Sequence, residues 1–141
     1  MKGSVHVVKK VTASFFLFAM MLLLSIPAFA ASGEDHLDPG EKLVKGQYLK
    51  STNGEYQLVL QDDGNFVLYG RGRALWSSNT HGHAASNVIM QGDGNLVIYG
   101  YPNAIWHSGT HNNPGARLVV QNDGNVVIYL AQKAIWWTGT N

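Results

Sequence analysis

The run Gln-x-Asp-Gly-Asn-x-Val-x-Tyr occurs three times in this chain of 141 residues, each copy thirty residues after the last. It spans Gln61–Tyr69, Gln91–Tyr99 and Gln121–Tyr129. A fixed period of this length means that one supersecondary unit is used three times. The period continues past each Tyr. Ala74, Ala104 and Ala134 recur, as do Trp76, Trp106 and Trp136, and Thr80, Thr110 and Thr140. Four residues separate each Tyr from its Ala, a length that suits a hairpin loop. The segments are short, β-branched and aromatic, and Gly, Asn and Asp interrupt them at short intervals, which is an all-β signature.

Side-chain parity within the repeat selects a turn. The polar positions alternate, so in a strand they share one face. Nine extended residues would span about 26 Å, so a turn must fold the run. A two-residue loop at Asp63-Gly64 would place Gln61 and Tyr69 on opposite faces. A three-residue loop, Asp62-Asp63-Gly64, keeps them together and puts Gly64 where a type I turn with a bulge needs a left-handed residue. That register sends Leu58, Leu60, Phe66 and Leu68 to the other face, with Val88, Met90, Leu96 and Ile98, and then Leu118, Val120, Val126 and Ile128, in the later units. All twelve are apolar, which predicts a core face. Burying each contributes about 1.5–3 kcal/mol. Three units about one axis would bring Trp76, Trp106 and Trp136 together, while Trp137, facing Ser77 and His107 in the alignment of repeats, is expected to be exposed.

The N-terminus is of a different character. Lys2, Lys9 and Lys10 precede an apolar run from Phe15 to Leu24, and Ala28-x-Ala30 is a small-residue cleavage pattern. Residues 1–30 therefore read as a secretory signal, with a location outside the cytoplasm (extracellular or periplasmic) and no membrane span once it is removed. Without those three lysines, seven Lys and Arg stand against nine Asp and Glu, a net charge of −2. No basic patch suggests nucleic acid. Residues 31–36 read as a leader and 37–141 as the folded domain, with polar character continuing to residue 42. Leu43, Tyr48, Leu49 and Tyr56, with Asn53-Gly54 as a turn, read as further strands that complete one of the three sheets. There is no cysteine, so the domain must stand on its core or on oligomerisation.

The repeated run, with a Trp seven residues after each Tyr, resembles the bulb-type (snowdrop-type) mannose-binding lectins, over about residues 37–141. The resemblance implies a β-prism II fold, three four-stranded antiparallel sheets with pseudo-threefold symmetry and one sugar pocket per sheet. It also implies the roles of the residues. Asp63 and Asn65 would bind the axial 2-hydroxyl of mannose, Gln61 the 3-hydroxyl and Tyr69 the 4-hydroxyl, with Val67 against the ring carbons. Gln91, Asp93, Asn95, Val97 and Tyr99 repeat the set, as do Gln121, Asp123, Asn125, Val127 and Tyr129. The implied partners are mannose-containing glycans or glycoproteins, and a homodimer is a possible assembly. Plant members carry a disulfide with one Cys inside the first run; Gly64 holds that position here, which excludes the bridge but not the pockets.

Elementary chemistry agrees with recognition rather than turnover. Asn and Gln offer donors and acceptors, and Asp is a strong acceptor. A site that hydrogen-bonds one hydroxyl rejects an isomer that misplaces it, because polar groups are left unpaired. Three other readings are weaker. A calcium loop at Asp62-Asp63-Gly64-Asn65 lacks its closing Glu. His81-Gly82-His83, with His107 and His111, has no zinc-site spacing, so neither a metal nor a cofactor is expected. Glycoside hydrolysis needs two carboxylates about 5–10 Å apart, and each unit supplies one, so the chain reads as a non-enzyme. The alternative function is a lectin-fold bacteriocin, toxin or defence protein that turns the same scaffold on another target.

Overall fold

The computed structural model describes residues 32–141, so the predicted signal segment lies outside the described residues. Twelve strands form three four-stranded antiparallel sheets, and no described residue is helical. Each repeat supplies a three-stranded meander. The first comprises β4 (Tyr56–Leu60), β5 (Phe66–Gly70) and β6 (Arg73–Ser77). The second comprises β7 (Ala85–Met90), β8 (Leu96–Gly100) and β9 (Ala104–His107). The third comprises β10 (Arg117–Val120), β11 (Val126–Leu130) and β12 (Lys133–Trp137).

The fourth strand of each sheet corrects the sequence reading. The N-terminal strands do not complete one sheet; they are dealt out one to each. β1 (His36–Leu37) pairs with β10, β2 (Lys42–Val44) with β7, and β3 (Tyr48–Lys50) with β4. Each meander has an open edge that offers unpaired backbone groups. Three short strands separated by turns at Gly40 and Gly46 cap those edges in succession. Leu37, Leu43 and Leu49 are the central residues of this capping, and each is fully buried. The polar stretch up to residue 42 is thus part of the fold rather than a leader into it.

All twelve apolar residues predicted for the core face are buried, none more than 1% exposed. The turn has the three-residue form. Gly64 N donates to the Gln61 carbonyl at 3.0 Å, Gln61 N to the Asn65 carbonyl at 2.9 Å, and Gly64 takes φ +89°. A Cβ on Gly64 would also collide with the His83 carbonyl oxygen. Left-handed backbone and close approach together account for glycine at this position.

The third strand of each meander carries a bulge. Leu68 faces Trp76 and Tyr69 faces Ala74, so Leu75 is the extra residue; Ile105 and Ile135 are its counterparts. One extra residue reverses parity. It lets Leu75 and Trp76, neighbours in sequence, both pack against the core. The three tryptophans meet on the axis with ring centroids 5.7–5.9 Å apart and interplanar angles of 72–81°. Edge-to-face geometry of this kind adds about 0.5–1.5 kcal/mol per pair beyond area burial.

The turns also join the units into a ring. Gly82 N donates to the Asp63 carbonyl at 2.8 Å, and Asn113 N donates to the Asp93 carbonyl at 2.9 Å. The third junction must return to the N-terminal segment, and there the chemistry changes. Asn122 Oδ1 accepts from Asn53 N at 2.9 Å, Asn122 Nδ2 donates to Thr52 Oγ1 at 2.8 Å, and Asn53 Nδ2 reaches the Asn122 carbonyl at 3.2 Å. This explains why Asn stands where the first two units have Asp62 and Gly92.

Candidate functional site

The five repeated residues of each unit lie on the outer face of its sheet, at the turn and along the middle strand. In the third unit Gln121, Asp123, Asn125, Val127 and Tyr129 line one hollow of about 430 Å³, together with Ala134, Trp137 and Asn141. The structure therefore brings all five predicted residues of that unit together. The hydrogen bonds below repeat this arrangement in the other two.

Each Asp is fixed by its own turn. Oδ1 of Asp63, Asp93 and Asp123 accepts from the backbone N–H of the following Asn65, Asn95 and Asn125, at 2.9 Å in every case. The carboxylate that closes the turn is the one the sequence singles out as a candidate for ligand contact. Gln and Tyr are fixed by each other across the hairpin. The Tyr129 hydroxyl donates to Gln121 Oε1 at 2.9 Å, Gln91 Nε2 donates to the Tyr99 phenol oxygen, and the Gln61 amide touches the Tyr69 hydroxyl at the same place. With the Gln61 oxygen likewise turned to its phenol, the amide nitrogen lies 3.2 and 3.3 Å from the two Asp63 carboxylate oxygens. Asp, Gln and Tyr then form one connected set, arranged before any ligand arrives.

Asn is held from behind. Asn65 Oδ1 accepts from Thr80 N at 3.1 Å and Ser78 Oγ at 3.3 Å. Asn95 Oδ1 accepts from Thr110 N at 3.1 Å and Ser108 Oγ at 3.2 Å. Asn125 Oδ1 accepts from Gly139 N at 3.0 Å and Thr138 Oγ1 at 3.1 Å. The amide oxygen is thus committed to the scaffold, and the Nδ2 donors are what each Asn offers outward. Each pocket presents a carboxylate acceptor beside an amide donor, which suits a hydroxyl that must both donate and accept.

The residues that hold Asn were only half visible in the sequence. The Thr80, Thr110 and Thr140 period was plain, but its role was not. Their hydroxyls donate to the carbonyls of Gly64, Gly94 and Gly124 at 2.5–2.6 Å and meet the hydroxyls of Ser78, Ser108 and Thr138 at 2.7–2.8 Å. The signal was a hydroxyl residue two positions after each Trp.

The floor of each pocket is Val67, Val97 or Val127, only 3–4% exposed though on the outer face. The wall beside it differs. The residue directly across the sheet from the floor is Ser77 in the first unit, His107 in the second and Trp137 in the third. Directly paired residues share a face, with Cβ atoms about 4.5–5.5 Å apart. Among the described residues one trio of possible metal ligands converges, His36, Asp38 and Glu41. All three are already engaged: His36 Nδ1 lies 2.7 Å from Asp35 Oδ1, Asp38 pairs with Arg117 Nε at 3.3 Å, and Glu41 accepts from Asp38 N at 2.7 Å.

Known proteins resemble this chain in sequence and in fold. No family model matches the chain. The monomeric monocot mannose-binding lectin structure from Gastrodia elata is 43% identical, with a TM-score of 0.69, covering 77% of this chain and 99% of that one. The mannose-specific agglutinin of snowdrop (Galanthus nivalis), solved with methyl-α-D-mannoside, is 39% identical with a TM-score of 0.63, covering 77% and 98%. A B-type lectin of the fish Scorpaena plumieri, plumieribetin, is 47% identical over 51 residues, 36% of this chain and 44% of that protein. The match thus spans less than half the length of that curated relative.

Proposed function

Because the chain belongs to the bulb-type mannose-binding lectin family, we propose that it is a lectin recognising terminal mannose through three equivalent pockets. The observation that carries this reading is the threefold recurrence of one hydrogen-bonding set. In every unit an Asp carboxylate anchored at 2.9 Å stands beside an Asn whose oxygen is committed to the scaffold. Asp and Asn Nδ2 would together read the axial 2-hydroxyl, Gln the 3-hydroxyl and Tyr the 4-hydroxyl, with the Val floor against the ring carbons. A sugar with an equatorial 2-hydroxyl would leave that donor and acceptor unpaired, which is the basis of discrimination.

Affinity per pocket is expected near the millimolar level, about −4 kcal/mol. Linked pockets that engage one branched glycan raise avidity by about 10²–10⁴ when their spacing fits. The partners are therefore mannose-rich glycans or glycoproteins met outside the cytoplasm, in keeping with the signal-like N-terminus. Retention on mannose-agarose with elution by methyl α-mannoside tests the reading. Asp63→Ala, Asp93→Ala and Asp123→Ala combined should pass straight through the column; a retained triple variant would show that the binding groups lie elsewhere.

A further inference from the structure

The three pockets share a floor but not a wall: Ser77 stands there in the first, the smaller imidazole of His107 in the second, and a full indole, Trp137, in the third. Trp137 is 57% exposed, an unusual state for the largest apolar side chain. Its three fellow tryptophans are stacked on the axis, so it does not belong to that cluster. It pairs across the sheet with Val127, the floor of the third pocket, and lines the same hollow as all five binding residues of that unit. Outer-face residues in this row run Val119, Val127, Trp137 across three neighbouring strands. In the first sheet the row is Val59, Val67, Ser77, and in the second Ile89, Val97, His107. On its far side, away from Trp137, Tyr129 also lines a second hollow with Arg117, Val119 and Gln132.

We propose that the third sheet carries an extended subsite in which Trp137 stacks against the C–H face of a second sugar, making this pocket selective for mannose oligosaccharides over a single mannose. The proposal rests on the mannose reading above. An exposed indole beside a polar pocket offers a flat apolar surface at low entropic cost. A pyranose bound by its hydroxyls in the main pocket leaves the next ring of an oligosaccharide to be held by whatever stands alongside. Ser77 is small, and its hydroxyl is engaged with Asn79 Oδ1 at 2.9 Å, so the first pocket has no equivalent surface. The three sites are thus alike for a terminal residue and unlike for the residue that follows it.

The test isolates the third pocket with Asp63→Ala and Asp93→Ala, then compares methyl α-mannoside with α-linked mannobiose and mannotriose by calorimetry. The oligosaccharides should bind about three- to ten-fold tighter than the monosaccharide. Trp137→Ser, which installs the residue of the first unit, should bring that ratio to about one. The Trp137 indole N–H resonance should move on adding mannobiose, while the axial tryptophans stay still. In the converse experiment, Ser77→Trp with Asp93→Ala and Asp123→Ala should give the first pocket an oligosaccharide preference. A ratio unchanged by Trp137→Ser overturns the proposal. So does an unmoved Trp137 resonance, or a Trp137→Ser variant that changes only the sedimentation of the protein, which would make the residue a subunit contact. Failure of methyl α-mannoside to bind the unsubstituted protein would instead sink the mannose reading itself, so the two failures are distinguishable.

Discussion

Thr110→Val removes one oxygen and keeps the shape of the side chain. Thr110 is 6% exposed. Its hydroxyl donates to the Gly94 carbonyl at 2.5 Å and meets Ser108 Oγ at 2.7 Å, and Ser108 in turn holds Asn95 Oδ1. The valine leaves the Gly94 carbonyl without that donor in a water-poor site. An orphaned buried acceptor costs about 1–3 kcal/mol, whereas the added methyl brings little new burial. We expect a loss of about 2 kcal/mol, or about 8 °C in Tm for a domain of this size. Urea and thermal unfolding can both be followed by the fluorescence of the axial tryptophans. Thr110→Ser, which keeps the hydroxyl, should cost less than half as much. The second pocket should also weaken towards mannose, because Asn95 loses part of its backing. A valine variant within 0.5 kcal/mol of the parent, or a serine variant equally destabilised, would refute the reasoning that the hydroxyl bridge carries the turn.

Two further outcomes follow from the same geometry. Asn95→Asp keeps the oxygen that accepts from Thr110 N and Ser108 Oγ but replaces the Nδ2 donor, so the fold should hold while calorimetric stoichiometry for methyl α-mannoside drops by one pocket. Asn122→Ala breaks the contact that closes the ring onto Thr52 and Asn53, on an exposed surface. It should lower unfolding stability by about 1 kcal/mol in urea without altering the stoichiometry.

Much of the fold was legible because parity and period speak about the same unit. Alternation around Asp63-Gly64 sorted Leu58, Leu60, Phe66 and Leu68 inward and Gln61, Val67 and Tyr69 outward, and the structure keeps that division. The destination of β1, β2 and β3 was not legible. A short apolar-centred strand fits any open edge, and which edge it meets depends on the path of the chain between turns. The bulge at Leu75 was hidden for a related reason. Two adjacent apolar residues break alternation, and periodicity alone does not say whether one of them leaves the strand or slips its register. At the site, residue identity showed which groups gather but not how each is oriented. That the Asn65 oxygen belongs to the scaffold follows only from Ser78 and Thr80 arriving behind it, from the segment just after β6, 13 and 15 residues away.

The most direct test of three equivalent pockets is a calorimetric titration of the unsubstituted protein with methyl α-mannoside, repeated with the α-glucoside. Three sites per chain at about millimolar Kd are predicted. Each of Asp63→Ala, Asp93→Ala and Asp123→Ala should remove one, and the glucoside should bind at least ten-fold more weakly. A single site, or equal binding of the two sugars, would contradict the account.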